Sequence, residues 1–296
     1  MKLNGISRLR IQLAAIGILG AVLSALPTGV PPAHAAGNEL TAVSTSHRTV
    51  VDASQYPWSA VGRVNISGVG TRSHCTGALI GERLVLTAAH CLYYRSTKRY
   101  VAPQLVHFVA GYQRGDFIAH SIANQIIPAK GFDGEAWAAP TNMEHDWALI
   151  ILKEPIGLKT GYLGFQALDQ ATLDNLTADS RFFSLAGYPR DRAHAISVDQ
   201  KCNIVGFLGQ GELLSHSCQI VGGDSGAPIA IPTETGGLQV IGLNSATNVP
   251  LTDGTTTNTA VPIRTILELV EKAIRHTEVA PGIGPGIQRP GKPPSP

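Results

Sequence analysis

From Val50 onward the chain is written in short apolar runs, each broken by Gly, Asn, Asp or Pro before a helical period can build up. Trp58–Val64, Thr76–Ile80, Leu84–Ala88, Val106–Ala110, Ser121–Ile127 and Trp147–Leu152 form one set. Phe182–Ala186, Asn203–Phe207, Leu213–Cys218, Ala227–Ile231, Leu238–Leu243 and Thr259–Ile263 form a second. Runs of this length between turn-forming residues read as strands. Two such sets with few helical periods between them predict an all-β, antiparallel sandwich or pair of barrels. The glycine count of 32 suits many tight turns. One helix stands apart, over residues 263–277. Ile263, Ile266, Leu267, Val270, Ala273 and Ile274 recur at helical spacing, and Thr265 with Glu268 suits a capping box. Its apolar face is expected to pack on the second strand set.

The two ends of the chain carry different information. Lys2, Arg8 and Arg10 precede an uncharged apolar run, Ile11 to Leu26, and Ala33-His34-Ala35 offers a small-x-small cleavage site. This is the layout of a secretory signal over residues 1–35. The apolar run, about 16 residues, is short for a membrane span. The expected product is therefore secreted or periplasmic, and free of the membrane after cleavage. Residues 36–49 are polar and patternless and read as a leader or short propeptide. Residues 278–296 are rich in Pro and Gly and read as a disordered tail. The formal net charge of +2 is spread without a block, which excludes the basic footprint of a nucleic-acid binder.

All four cysteines, Cys75, Cys91, Cys202 and Cys218, fall in the exported part. An even number in an oxidising compartment reads as two disulfides. Three pairings are open; Cys75–Cys91 with Cys202–Cys218 needs the smallest loops. Each closes a loop of about 15 residues, worth ~3 kcal/mol on the chain-entropy model.

The chemistry is concentrated in Gly222-Gly223-Asp224-Ser225-Gly226-Ala227-Pro228. Glycines on both sides of the serine allow the positive φ of a sharp turn. Successive N–H groups in such a turn make a nest for an anion. A hydroxyl beside an anion nest is what acyl transfer needs, although the same letters also spell an ordinary surface turn. A base and an orienting carboxylate decide between the two. Leu84–Ala89 is an apolar strand that ends in small residues before His90, and Cys91 ties that corner down if it pairs with Cys75. Asp146 opens the apolar run Trp147–Leu152. A partly buried aspartate needs a partner, and an imidazole N–H is a natural one that also fixes the base's tautomer.

The order His90, Asp146, Ser225 differs from the Asp, His, Ser order of subtilisin-like enzymes and the Ser, acid, His order of α/β-hydrolases. Thr87-Ala88-Ala89-His90-Cys91, Asp146 before its Leu/Ile strand, and Gly223-Asp224-Ser225-Gly226-Ala227-Pro228 resemble the trypsin/chymotrypsin-like serine peptidases. Tyr56-Pro57-Trp58-Ser59-Ala60-Val61-Gly62, Val240-Ile241-Gly242 and Ala260-Val261 resemble the secreted bacterial V8-like (glutamyl endopeptidase) branch. The resemblance runs from about Val50 to the C-terminal helix. It implies two antiparallel six-stranded β-barrels, the first over residues 50–164 with His90 and Asp146, the second over 165–262 with Ser225. It further implies a monomeric serine endopeptidase acting on polypeptides without cofactor or metal, with the N–H groups of Gly223 and Ser225 as oxyanion hole.

Two departures from the pattern bear on activation and specificity. The animal digestive enzymes start on an Ile-Val-Gly-Gly-like sequence whose freed amine pairs with the aspartate before the serine, Asp224 here. This chain has Arg48-Thr49-Val50-Val51-Asp52 instead. Cleavage near Arg48 or Thr49 of a zymogen, another cation, or backbone N–H groups are all open as partners for Asp224. Gln219 falls where trypsin-like enzymes place a pocket aspartate, and Asn244 falls where the V8-like branch places its glutamate-binding histidine. Gln219, Asn244 and Ser245 are the expected substrate-binding residues, for a neutral or polar side chain. Rival readings are a catalytically silent binding protein on the same fold, an esterase, and a zinc module built on His74-Cys75 and His90-Cys91.

Overall fold

The computed structural model describes residues 47–68, 74–137, 139–178 and 183–277. The signal segment, most of the leader and the Pro/Gly-rich tail lie outside the described residues. No helix among those described is long and apolar enough to cross a membrane.

Among the described residues, seventeen strands follow in chain order. The first nine are β1 (Arg48–Val50), β2 (Val61–Ile66), β3 (His74–Leu79), β4 (Leu84–Thr87), β5 (Tyr93–Tyr94), β6 (Arg99–Tyr100), β7 (Val106–Ala110), β8 (Ala119–Pro128) and β9 (Ala148–Leu152). The rest are β10 (Gly164–Phe165), β11 (Phe183–Gly187), β12 (Ser197–Cys202), β13 (Ile204–Leu208), β14 (Leu213–His216), β15 (Pro228–Pro232), β16 (Leu238–Pro250) and β17 (Thr256–Pro262). The α-helices are α1 (Pro140–Met143), α2 (Gly157–Thr160), α3 (Gln170–Ala178) and α4 (Leu267–Thr277).

The first half is a closed six-stranded barrel in the order β2-β3-β4-β9-β8-β7. Leu84–Thr87 is buried throughout and lies between β3 and β9, so both its edges are paired. Both faces of this wall are covered: Leu79, Ile150 and Leu152 lie on one side and Leu84, Leu86 and Leu149 on the other, all buried, as is Phe108 of β7. Gly62 sits opposite the Phe108 ring: a Cβ there would lie 2.5 Å from the ring edge. The missing side chain is what lets β2 close over the phenylalanine.

The second half is a nine-stranded sheet, with the path β1-β12-β11-β15-β16-β17-β14-β13 and β10 added beside β16. Apart from β10, which runs parallel to β16, it shares the expected antiparallel all-β class, but it carries more strands than a six-membered ring. One addition is β1, which pairs with β12 in the register Arg48↔Asp199, Thr49↔Val198, Val50↔Ser197. The last residues read as leader are thus part of the sheet. β12 itself, β5, β6, β10 and α3 are absent from the sequence-derived set. Ser197–Cys202 has three polar residues, Asp199-Gln200-Lys201, before its cysteine and too weak an alternation to stand out.

The disulfides join Cys75 to Cys91 and Cys202 to Cys218, with Cα atoms 6.1 and 4.4 Å apart. The C-terminal helix departs from expectation twice. It packs on the first barrel, where Ile274 lies over the β3–β4 turn at Gly81 and fills a surface that has no side chain. The Thr265 hydroxyl donates back to the Pro262 carbonyl at 2.8 Å, so it is not spent on a capping box. A short 3-10 turn, Ile263–Thr265, precedes the α-helix.

Because Phe108 is wholly buried at the centre of the closed barrel, Phe108→Ala is expected to cost about 3–5 kcal/mol. A lowered urea midpoint at unchanged slope measures it; a shift worth less than about 1 kcal/mol would mean the barrel collapses around the gap.

Candidate active site

Strand β4 delivers His90. After Thr87 the chain passes two wholly buried alanines, Ala88 and Ala89, and enters the 3-10 turn Ala89–Leu92. The Cys75–Cys91 bridge ties this turn to β3. The His90 ring is 18 % exposed, and the Trp137 ring lies over it with centroids 4.9 Å apart.

Asp146 lies just before β9, at the end of the turn that follows α1, where its N–H donates to the Met143 carbonyl. It is wholly buried. Three donors meet its carboxylate: the His90 backbone N–H at 2.9 Å, His90 Nδ1 at 2.7 Å and the Ser245 hydroxyl at 2.6 Å. Burial alone would push the Asp146 carboxyl up, but the His90 charge and these hydrogen bonds together hold it below the usual carboxylate value. In the neutral tautomer, an ionised carboxylate at Nδ1 holds the ring proton there and leaves the Nε2 lone pair free. Nε2 lies 3.8 Å from Cys91 Sγ.

Ser225 sits in a turn clamped by both halves of the molecule. The Thr76 N–H of β3 donates to the Ser225 carbonyl at 2.9 Å, and the Gly226 N–H donates to the Asn244 carbonyl of β16 at 2.8 Å. The Thr76 hydroxyl holds the Gly223 carbonyl at 2.9 Å. Cys91 Sγ reaches 3.9 Å from the Ser225 carbonyl, so the serine turn and His90 Nε2 border the same sulfur. Two glycines make the clamp possible. Gly223 has φ +103°, and a Cβ on it would lie 2.5 Å from the Tyr188 carbonyl; Gly226 has φ +77°, and a Cβ would lie 2.5 Å from the Thr76 carbonyl. Among the described residues, no backbone carbonyl or side chain accepts the N–H of Gly223 or Ser225. Those two donors stand beside the serine with hydrogen-bonding capacity unspent.

The remaining predicted site residues fall into place differently. Ser245 was expected to line the substrate strand, but its side chain is turned inward onto Asp146. Asn244 is buried, with Nδ2 donating to the Asp224 carbonyl at 3.0 Å and Oδ1 unpaired among the described residues. Gln219 faces the N-terminal segment: Oε1 accepts from the His47 N–H at 3.1 Å, and its own N–H donates to Asp199 at 2.7 Å. Asp224 is wholly buried with Arg48 on its carboxylate. Burial pushes that carboxyl up to about 6, against the pull of the Arg48 guanidinium. The two His-Cys pairs do not offer a thiolate cage. Cys75 and Cys91 are bonded to each other, and His74 Nε2 is engaged with the Tyr188 carbonyl at 2.9 Å.

Sequence reasoning missed three residues: Arg48, Thr76 and His216. His216 is buried in β14 next to Asn244 and Thr259, and both its ring nitrogens lack a hydrogen-bond partner among the described residues. Only for Arg48 was there a signal, because a carboxylate in a glycine turn must find a cation or several N–H donors.

The chain matches the family described as Trypsin over residues 46–270. It belongs to that family. Among its relatives, the glutamyl endopeptidase of Bacillus licheniformis is 25 % identical over 199 residues, which cover 67 % of this chain and 57 % of that protein. This chain therefore spans little more than half the length of that relative. Limulus clotting factor C of Carcinoscorpius rotundicauda is 31 % identical over 113 residues, 36 % of this chain and 10 % of its own length. The structure of a Glu endopeptidase in complex with MPD superposes with a TM-score of 0.60 at 18 % identity, covering 78 % of this chain and 98 % of that one. The protease Anisep from Arthrobacter nicotinovorans superposes with a TM-score of 0.52 at 18 % identity, covering 73 % and 93 %. At these identities the structural likenesses speak for the fold, and the fold agrees with family membership.

His216 gives the family scaffold a pH-dependent cost. Burial pushes its imidazole down to about 4, whereas an unfolded histidine titrates near 6.5. The unfolded chain therefore binds the proton first as pH falls, and folding stability drops between about 6.5 and 4. His216→Gln is expected to remove about 2–3 kcal/mol of the loss seen between pH 7.5 and 4.5. Urea titrations at both pH values measure this; equal losses in variant and parent would place the acid sensitivity elsewhere.

Proposed function

We propose that this chain is an exported serine endopeptidase that cleaves peptide bonds through Ser225, His90 and Asp146. The observation that carries the reading is the satisfied Asp146–His90 pair held beside a serine turn with two unspent N–H donors. In the proposed reaction, Ser225 Oγ attacks the scissile carbonyl carbon while His90 Nε2 takes the hydroxyl proton. The carbonyl π pair moves onto oxygen, where the N–H groups of Gly223 and Ser225 receive it. The tetrahedral species collapses, the C–N bond breaks, and His90 passes the same proton to the leaving amine. A water molecule then repeats the sequence on the acyl-enzyme, with His90 again as base.

Asp146 does not take the proton in this scheme. It fixes the Nδ1–H tautomer and stabilises the imidazolium that forms. Ser245 is a positioning residue, because its hydroxyl holds the carboxylate oxygen that faces Nδ1. Export rests on the n-region, apolar run and small-x-small site of residues 1–35. Gln219 and Asn244 carry no charge, but Gln219 accepts from the His47 N–H and Asn244 donates to the Asp224 carbonyl, so the choice of substrate side chain rests on sequence position alone.

Labelling by a fluorophosphonate probe tests the nucleophile. Wild-type chain is expected to label and Ser225→Ala to remain unlabelled with its fold intact. Labelling of the alanine variant would mean another nucleophile; silence of the oxidised wild type would favour a binding protein. Asp146→Asn is expected to lower turnover by about 10⁴ through the wrong tautomer, and a loss under tenfold would remove Asp146 from the scheme.

A further inference from the structure

We infer that Arg48, a residue inside the chain, supplies the cation that sets the serine turn, so that the turn is formed without a freed N-terminal amine and depends on Arg48 being retained. The inference rests on the reading of Ser225 as nucleophile and concerns how that site is positioned.

Arg48 and Asp224 are 176 positions apart and meet as a bidentate pair. Nη1 lies 2.9 Å from Oδ2 and Nη2 lies 3.0 Å from Oδ1. The other three N–H groups of the guanidinium are also taken. Nε donates to the Ser197 hydroxyl at 3.1 Å, Nη1 to the Gln219 carbonyl at 2.8 Å and Nη2 to the Ser197 carbonyl at 2.8 Å. All five donors of the fork are used. A planar fork with every donor satisfied is the geometry in which a buried ion pair offsets its desolvation.

The carboxylate is equally committed. Asp224 Oδ2 also accepts the Val221 N–H at 3.0 Å. Asp224 stands between Gly223 and Ser225, the two residues whose N–H groups are unspent. Fixing its side chain therefore fixes the peptide planes on both sides of it. Arg48 is a positioning residue here and touches no reacting atom.

The backbone of Arg48 explains why a new N-terminus cannot easily take its place. β1 lies along β12, and the Arg48 carbonyl accepts from Arg192 Nη1 at 3.3 Å. Cleavage after Arg48 would create an amine at Thr49, but it would also cut away the guanidinium already on Asp224. Thr49 could reach the carboxylate only by leaving its place opposite Val198. In a chain of this kind, cleavage on the C-terminal side of Arg48 is an inactivating event.

N-terminal sequencing of the fluorophosphonate-labelled exported protein tests this directly. The labelled species is expected to begin upstream of Arg48 and to keep its labelling rate, within about twofold, when its α-amine is acetylated. Label found only on species that begin at Thr49 or later would overturn the inference. Arg48→Ala is expected to slow labelling by about 10²–10³-fold, the size expected when a buried charge loses its partner. Guanidinium ion, but not urea, at the same low concentration should restore at least tenfold; labelling of the alanine variant at the wild-type rate overturns the inference. Where Arg48→Ala fails to fold, Arg48→Lys is compared instead, and amide hydrogen exchange at residues 222–226 is the readout. Faster exchange confined to that turn supports the inference and unchanged exchange overturns it. This last measurement needs no catalysis, so it decides the role of Arg48 even if wild-type protein does not label and the proposed function fails.

Discussion

Asp146 is a carboxylate with no access to water, and the site depends on how that cost is met. An unpaired charge at such depth would protonate or unfold the region around it. The donors come from both halves of the molecule: two from His90 at the end of a barrel strand, and one from Ser245 on the long strand β16 of the nine-stranded sheet. The same β16 receives the Gly226 N–H, and β3 of the barrel receives the Ser225 carbonyl through Thr76. The barrel and the sheet are thus stitched at two adjacent places, once at the carboxylate and once at the serine turn. A shift of one half against the other would break both stitches together.

This coupling also explains the glycines. Gly226 is held where a side chain would collide with the Thr76 carbonyl and the Ala88 N–H, 2.5 and 2.7 Å from a Cβ. Ala88 is two residues from His90. The turn that carries the serine therefore packs against the same backbone that carries the histidine, and the approach is limited by the glycine Cα. Positive φ and lack of space act at one residue, so a substitution there is penalised twice.

The all-β class, the local cysteine pairing and the meeting of His90 with Asp146 were legible because each partner sits at the edge of a short apolar run. Such local patterns survive in one dimension. Ser245 was placed correctly in the chain but given the wrong contact, since nothing in Asn244-Ser245-Ala246 says which face of a bulged strand meets the barrel. Helix α4 was found, but its docking surface was not. The landing place, Gly81, is marked only by the absence of a side chain on a distant turn. Arg48 was read as part of a patternless leader, because a partner 176 residues away leaves no period behind. What reasoning from sequence did establish is that Asp224 needed a partner, with a cation as one of the candidates.

The polar groups behind the serine turn separate positioning from recognition. Asp224 and Arg48 use every guanidinium donor and nearly every carboxylate lone pair on each other, on backbone and on the Ser197 hydroxyl, which is how a fixed mount is built. Asn244 is different. Its Nδ2 is spent on the Asp224 carbonyl, while its Oδ1 and both nitrogens of neighbouring His216 are buried without partners among the described residues. Buried polar atoms left unpaired cost about 1–3 kcal/mol each, and a scaffold selected for stability alone would have replaced them with apolar groups. They lie one hydrogen bond away from the residue that precedes Ser225. Asn244 thus ties the serine turn, through the Asp224 carbonyl and the Gly226 N–H, to a buried polar neighbourhood in which the depressed His216 makes folding sensitive to acid.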